Sequence, residues 1–400
     1  MINGKNRIII IGGGYAGLRS VEKLAKNKDN EIILFDKNPY HYMQTDVYDL
    51  IANENDFSQV TVDFYSFCMG FDDNVIFYKQ EVKNIDFVKK KVITTIDRYH
   101  YDYLIIAVGA RTKFVSSIAG LREYAYGVKA LHRAMYFKQK FEMSLFKKID
   151  ENGTHCTPLN IVVAGAGLSG VEIAAQMASF SKEFYCKNNF ICRKLNIVLI
   201  NAAKHVLFGM DDKLAQAAQK HLNDLEVIIK NGQKVTGLTQ DSVTLSSGEV
   251  LLMDFMIFAG GIEPNGLVYT LELDKNERDF IQTRETLQTN QYEEVFAIGD
   301  CTTIYNNEKV VPPTADIAEQ MAELCSKNIT ALIAGKKLEK HHINSRGVLI
   351  ALGRRYAAGK VFNIYLKGYF AYLIKKIIEN IHIKRLKKYS KQGCDKIFFE

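Results

Sequence analysis

The chain has little of several things that mark particular protein classes. Five prolines in 400 residues and no low-complexity run leave no room for long disordered segments. The same composition excludes collagen-like, coiled-coil and disulfide-knot scaffolds. Seven cysteines form no C-x-x-C pair, and an odd number cannot all pair internally, so reduced and mostly buried thiols are expected. Cys186 and Cys192 have no His or second Cys pair at zinc-ligand spacing, and no metal site is expected. No stretch approaches the ~20 apolar residues of a spanning helix. A secretory signal is not expected either, because six polar-leaning residues lead straight into RIIIIGGG. Charge is concentrated rather than spread. Between residues 367 and 391 eight Lys or Arg face one acid, Glu379, which accounts for the whole formal net charge of +7. The rest of the chain is balanced, which argues against a nucleic-acid-binding face.

What is present is an ordinary globular composition, 47% hydrophobic and 24% charged, long enough for two to three domains. Residues 7–11, RIIII, read as a strand buried on both faces that runs into GGGYAG (12–17). An apolar-periodic helix follows, with Leu18, Val21, Leu24 and Ala25 on one side, and then a second buried strand, EIILFD (31–36). Residues 159–201 repeat this order as LNIVVAG, GAGLSG, a helix and LNIVLIN. Two such β–α–β starts imply two parallel sheets, each covered by its own helices. The expected class is therefore α/β, with two doubly wound Rossmann-like dinucleotide-binding domains. Beyond about Gly335 the texture changes to short antiparallel strands and an aromatic, basic helix.

The two glycine turns carry the chemistry. In Gly12-x-Gly14-x-x-Gly17 the first glycine makes the tight turn, the second lets a pyrophosphate approach backbone, and the third lets helix and strand pack closely. The helix N-terminus adds N–H donors and positive dipole. Asp36, at the tip of the second strand, is placed to accept hydrogen bonds from an adenosine ribose. Gly165-x-Gly167-x-x-Gly170 has the same context, but Asn201 stands where an NADH-preferring site usually has an acid, with Lys204 and His205 the nearest basic residues. NADH is expected ahead of NADPH at this second turn.

Two dinucleotide motifs in this order place a resemblance. GGGYAGL, the strand ending AVGA (107–110), GAGLSGVEIAAQMA (165–178), AGGIEPN (259–265), VFAIGD (295–300) and PPTADIAEQMA (312–322) resemble the two-dinucleotide-binding-domain flavoproteins, and within them the type II NADH dehydrogenases. The resemblance implies FAD at Gly12, Gly13, Gly14, Ala16, Gly17, Asp36, Lys37, Val82, Ala107, Gly109, Gly299 and Asp300. It implies NAD(P)H at Gly165, Gly167, Gly170, Asn201, Gly260 and Gly261. Ala315, Ala318 and Gln320 match the family's quinone-site motif A-Q-x-A-x-Q, while Asp316 replaces its first Gln; Tyr356 falls in a region resembling the quinone-tunnel wall. Glu172 is expected in the first turn of its helix, near flavin and nicotinamide, and with Gln320 it is assigned a catalytic role. Capping by Thr314 is a compatible role for the start of the Gln320 helix. His41 and Tyr42 resemble the family's loop over the flavin.

The implied division is residues 1–115 and 263–334 for the FAD domain, 116–262 for an inserted NAD(P)H domain, and 335–400 for a C-terminal membrane-surface segment. The implied reaction carries two electrons from NAD(P)H through FAD to a membrane quinone without proton pumping. Two rivals remain open at this point: a sulfide:quinone oxidoreductase, which needs a pair of cysteines such as Cys156, Cys301 or Cys325 near the flavin, and a flavoprotein redox switch acting through binding partners. Phe370, Leu373, Ile374, Ile377, Ile378 and Ile381 form one helical stripe, with Lys375, Lys376 and Glu379 on the other side. With the basic block 384–391 this reads as an in-plane membrane helix at the cytoplasmic face of the plasma membrane. Removing everything after Lys367 is expected to free the protein from the membrane while keeping flavin. A second copy of the chain is a candidate partner.

Overall fold

In a computed structural model, residues 4–147, 157–187, 195–306 and 309–399 are described. Strand β1 (Asn6–Ile11) leads through the first glycine turn into helix α1 (Tyr15–Leu24) and back to β2 (Asn30–Asp36). Short helices α2 (Val47–Ile51) and α3 (Phe64–Met69) precede β3 (Val75–Lys79), and β4 (Tyr103–Ile106) follows. The chain then leaves this sheet and builds a second one. Its elements are β5 (Ala125–Tyr126), α4 (Leu131–Lys147), β6 (Leu159–Ala164), α5 (Leu168–Lys187), β7 (Leu195–Asn201), α6 (Asp212–Asp224), β8 (Ile228–Asn231) and β9 (Phe255–Phe258). Only then does β10 (Val295–Ala297) return to β4 and complete the first sheet.

Both sheets are all-parallel, in the orders β10-β4-β1-β2-β3 and β5-β9-β6-β7-β8. The two central strands explain the unbroken apolar runs. Ile8 and Ile10 sit in one core and Ile9 and Ile11 in another, so both faces of β1 are buried. In β6, Ile161 and Val163 likewise face one core while Val162 and Ala164 face the other. The second sheet lies entirely within a chain segment that interrupts the first, as the repeated motif implied.

The last part of the chain adds α7 (Ala315–Ile333), an antiparallel sheet of β11 (Gly347–Ala351), β12 (Ala357–Val361) and β13 (Ile364–Gly368), and the 31-residue α8 (Tyr369–Phe399). Thr314 caps α7 by accepting the Ile317 N–H at 3.3 Å. Helix α8 docks on α3 at very short range. A Cβ at Gly393 would run into the Ser66 carbonyl and one at Gly70 into that of Tyr389, and the Tyr389 ring stacks on Phe71 with centroids 4.5 Å apart. Its apolar stripe is not core: Phe370, Leu373, Ile377, Ile378 and Ile381 are exposed, whereas Ala371 and Leu386 are buried. Among the described residues no helix is long and apolar enough to cross a membrane.

Candidate functional site

The first glycine turn opens on a cavity of about 770 Å³ between β1, β2, the end of β4 and segments 127–133 and 263–270. Gly12, Gly13, Gly14, Asp36, Lys37, Val82, Ala107 and Gly109 line it, together with Lys129, His132 and Arg133. Asp36 is half-buried at its edge and spends one oxygen on the Gly13 N–H (2.9 Å) and the other on the Asn38 N–H (2.8 Å). Burial pushes its carboxyl up against those bonds. His41, also on the lining, donates its Nδ1–H to the Gly13 carbonyl at 2.9 Å, and burial holds its pKa down at about 3, so the ring is neutral. Asp300 reaches Lys129 at 3.6 Å. Gly299 is flanked by Ala16 and Ala318, which brings the starts of α1 and α7 to one point.

The glycines of each turn separate into two kinds. Gly12 (φ +100°) and Gly165 (φ +104°) hold left-handed backbone, and a Cβ there would collide with the carbonyls of Ala107 and Ala259. A Cβ at Gly17 or Gly170 would collide with the carbonyl of its own turn's first glycine. At Gly14 and Gly167 a Cβ would meet nothing within 4 Å. The fold itself therefore requires the first and third glycines. The middle one leaves open space through which a pyrophosphate could reach backbone, and α1 begins there with no side-chain cap on its N–H groups. The residues at the first turn fit FAD on these grounds, and Asp36 would be the acceptor for its ribose.

Glu172 lies one turn into α5, not in its first turn, and its carboxylate is engaged by β11 and α8. It is buried, accepts the Ala351 N–H at 2.8 Å and faces Lys375 of α8 at 3.4 Å. Burial raises its pKa, with Lys375 and the Ala351 N–H acting in the opposite sense. Lys375 also reaches Glu379 at 2.8 Å; Lys376 pairs with Asp49, which accepts from Gln176 at 2.6 Å. Burial, with Glu379 adding to it, lifts the Asp46 carboxyl beside this group to about 7. Further along α8, Arg385 pairs with Glu22 (3.1 Å) and Glu319 (2.5 Å), and His382 with Glu319 (2.8 Å). Lys375, Lys376 and Arg385 therefore face inward and neutralise buried carboxylates. The basic side of α8 is thus not all free for a membrane, and its exposed basic residues are Lys384, Lys387, Lys388 and Lys391. Truncation after Lys367 would remove the cations paired with Glu172, Asp49 and Glu319 and leave Glu22 only Arg19, so it is not a clean test of attachment.

Gln320 donates to Asp316 (2.9 Å) and to the Asn344 carbonyl (3.0 Å), and Asp316 in turn accepts the Arg346 N–H at 3.2 Å. Asp316, the departure from the family motif, thus holds Gln320 and ties α7 to the lead-in of β11. That strand spans the ground between the two assigned catalytic residues, with Asn344–Arg346 beside Gln320 and Ala351 on Glu172. Tyr356 lies in the β11–β12 turn, at the Ala351 end and away from Gln320, and stacks on His221 of α6 with centroids 3.9 Å apart. At the second turn, Asn201 is buried at the end of β7, its Oδ1 accepting the Ala203 N–H (3.2 Å) and its Nδ2 donating to Asn231 (2.8 Å).

Sequence reasoning missed the Lys375–Glu172, Lys376–Asp49 and Arg385–Glu22 contacts. The only available signal was Lys375, Lys376 and Glu379 at helical spacing, which says that they share a face but not what that face meets. Of the cysteines, Cys68, Cys301, Cys325 and Cys394 are free. Cys301 and Cys325 are buried in different cores, and burial raises the Cys301 thiol to about 12. Cys156 and Cys192 lie outside the described residues.

A family model described as pyridine nucleotide-disulphide oxidoreductase matches residues 6–322. Type II NADH:quinone oxidoreductases of Staphylococcus aureus strains MSSA476 and NCTC 8325 are 29% identical over 395 residues, covering 95% of each chain. Among solved structures, NDH2 from Plasmodium falciparum in complex with NADH superposes with a TM-score of 0.82 at 19% identity, covering 99% of both chains. The sulfide:quinone oxidoreductase from Aquifex aeolicus also gives 0.82, at 18% identity, covering 98% of this chain and 95% of that one. With two parallel sheets, one inserted in the other and each opening on a glycine turn, the chain belongs to the pyridine nucleotide-disulphide oxidoreductase family and resembles its type II NADH:quinone oxidoreductases along nearly its whole length.

Proposed function

We propose that the chain is a type II NADH:quinone oxidoreductase that oxidises NADH at the second glycine turn and reduces a membrane quinone near Gln320, without proton pumping. The observation that carries the reading is the matched pair of open positions at Gly14 and Gly167, two pyrophosphate cradles of the same build on two sheets. Held at the first turn, FAD would supply the two-electron relay between nucleotide and quinone. The reaction balances as NADH, one proton from solvent and quinone giving NAD⁺ and quinol. The chain's own part is to hold and orient: Asp36 under the FAD ribose, Gly165, Gly167 and Gly170 with Gly260 and Gly261 around NADH, and Ala315, Ala318 and Gln320 on the quinone side. Glu172 and its Lys375 partner form a buried charged pair that closes α5, β11 and α8 together. The residue divisions given by the sequence follow this assignment, 1–115 with 263–334 for FAD and 116–262 for the nucleotide. The exposed stripe of α8 supports peripheral attachment at the cytoplasmic face of the membrane. Tyr356 is dropped from the quinone set because its ring is committed to His221.

The test is anaerobic stopped-flow absorbance of the purified yellow protein. NADH should bleach the flavin in one phase and a soluble quinone should restore it in a second, while sulfide should leave it oxidised. Bleaching by sulfide in place of NADH would overturn the assignment in favour of sulfide oxidation.

A further inference from the structure

The strand-end position of the second glycine turn presents hydrogen-bond donors where an NADH-selective site presents a charged acceptor. An acid at the end of this strand accepts from the ribose 2′-hydroxyl and repels a 2′-phosphate. Here Asn201 occupies the position, and its two ends are told apart by their partners. The Ala203 N–H needs an acceptor, so Oδ1 must face it at 3.2 Å. Nδ2 is therefore the atom donating to Asn231 Oδ1 at 2.8 Å. That bond uses one of its two hydrogens, and Asn231, exposed at the end of β8, keeps its own amide N–H₂ as donor. The backbone is braced as well: the Gln233 N–H donates to the Asn201 carbonyl and the Gly232 N–H to that of Ala203, both at 3.0 Å.

The charges nearby have the same sense. Residues 201–210 contain Lys204 and His205 and no acid. Lys204 is exposed, and among the described residues no carboxylate pairs with it. The nearest acid along the chain, Asp211, caps α6 through Lys213 N–H and pairs with Lys360 at 2.5 Å. Across the strand pair, Lys230 is held by Glu249 at 2.8 Å.

We infer that this site accepts NADPH as a hydride donor comparable to NADH, with the Asn201–Asn231 amide pair and Lys204 receiving the 2′-phosphate. The inference rests on the second turn being the nucleotide site. Rejecting NADPH by binding alone requires a charge or an unmatched polar group in its way, and the position offers neither.

Two measurements test it. Calorimetry of the flavin-loaded protein with AMP and with adenosine 2′,5′-bisphosphate isolates the phosphate, and the bisphosphate should bind at least as tightly as AMP. Stopped-flow bleaching should give NADPH a second-order rate constant within about tenfold of that for NADH, a difference of ~1.4 kcal/mol or less. Asn201→Glu should lower the NADPH constant at least tenfold relative to that for NADH in the same variant, and Lys204→Ala should weaken the bisphosphate more than AMP. Flavin absorbance reports that each variant is folded. NADH bleaching with an NADPH constant more than tenfold lower, or a ratio unmoved by Asn201→Glu, overturns this inference and leaves the proposed function standing. Failure of both nucleotides to bleach the flavin overturns the proposed function, and this inference with it.

Discussion

Replacing Ile377, Ile378 and Ile381 together by serine should convert firm membrane attachment into attachment that salt removes. The three side chains are 56, 52 and 62% exposed on one face of α8. Full burial of an isoleucine is worth ~1.5–3 kcal/mol, so the half still open on each is worth ~0.75–1.5 kcal/mol and the three together ~2–4.5 kcal/mol. At ~1.4 kcal/mol per decade this is roughly fortyfold to a thousandfold in partitioning. Lys384, Lys387, Lys388 and Lys391 add ~1 kcal/mol each near an anionic leaflet, ~4 kcal/mol at low salt. The two contributions are comparable at low ionic strength, but at ~1 M salt the screening length falls to ~3 Å and the apolar part is what remains. Vesicle flotation with anionic lipid should therefore find the parent protein bound in both salts and the triple variant bound only at low salt. Substituting exposed positions leaves the inward-facing Lys375, Lys376 and Arg385 in place, so flavin content should not change. A triple variant that floats undiminished at ~1 M salt would refute the assignment of this face to the membrane.

Gly14→Val should give a folded protein that purifies without yellow colour, because a Cβ there meets no protein atom within 4 Å and the side chain would occupy the pyrophosphate's approach; Gly167→Val should keep the flavin and lose bleaching by NADH. Normal flavin occupancy in the first variant would remove FAD from that turn. Lys375→Met should cost about 3–5 kcal/mol of stability by leaving Glu172 buried without its cation, while Glu379 keeps Lys376 at 3.1 Å. A carboxyl whose folded pKa lies above its unfolded value stabilises the fold below the unfolded pKa and loses that contribution as pH rises through the folded one. Glu172 is already raised and would rise further without Lys375, so the loss in melting temperature should shrink as pH is lowered from about 8 to about 5. A deficit independent of pH would mean that Glu172 is not the group left uncompensated. Gln320→Ala should leave bleaching by NADH near normal and slow reoxidation by quinone; equal slowing of both phases would withdraw Gln320 from the quinone side.

Much of this was written locally. Four isoleucines in a row before a glycine turn demand a strand buried on both faces, because only alternating side chains feeding two cores can place them all. The glycine spacing determines the strand–turn–helix connection for the same kind of reason, since a Cβ at Gly12 or Gly17 would overlap backbone a few residues away or on the next strand. The same pattern repeated at 159–201 with its strand-end acid replaced by Asn201 was visible in the letters alone.

Only the tertiary structure decided where faces point and which distant residues meet. A helical stripe such as that of α8 has the same periodicity whether it meets a core or a membrane. Its exposure followed from the opposite face being taken up by α3, by buried acids and by close glycine contacts at Gly70 and Gly393. Glu172 and Lys375 are about two hundred positions apart in the chain, and spacing rules reach only neighbours within a turn or two of helix. Tyr356 shows the same limit: the turn end of its hairpin docks on α6, and nothing local records that the neighbour there is His221. The amide of Asn201 could be read as neutral from the sequence, but which of its ends faces outward depends on Asn231, a residue on the next strand brought beside it by parallel pairing.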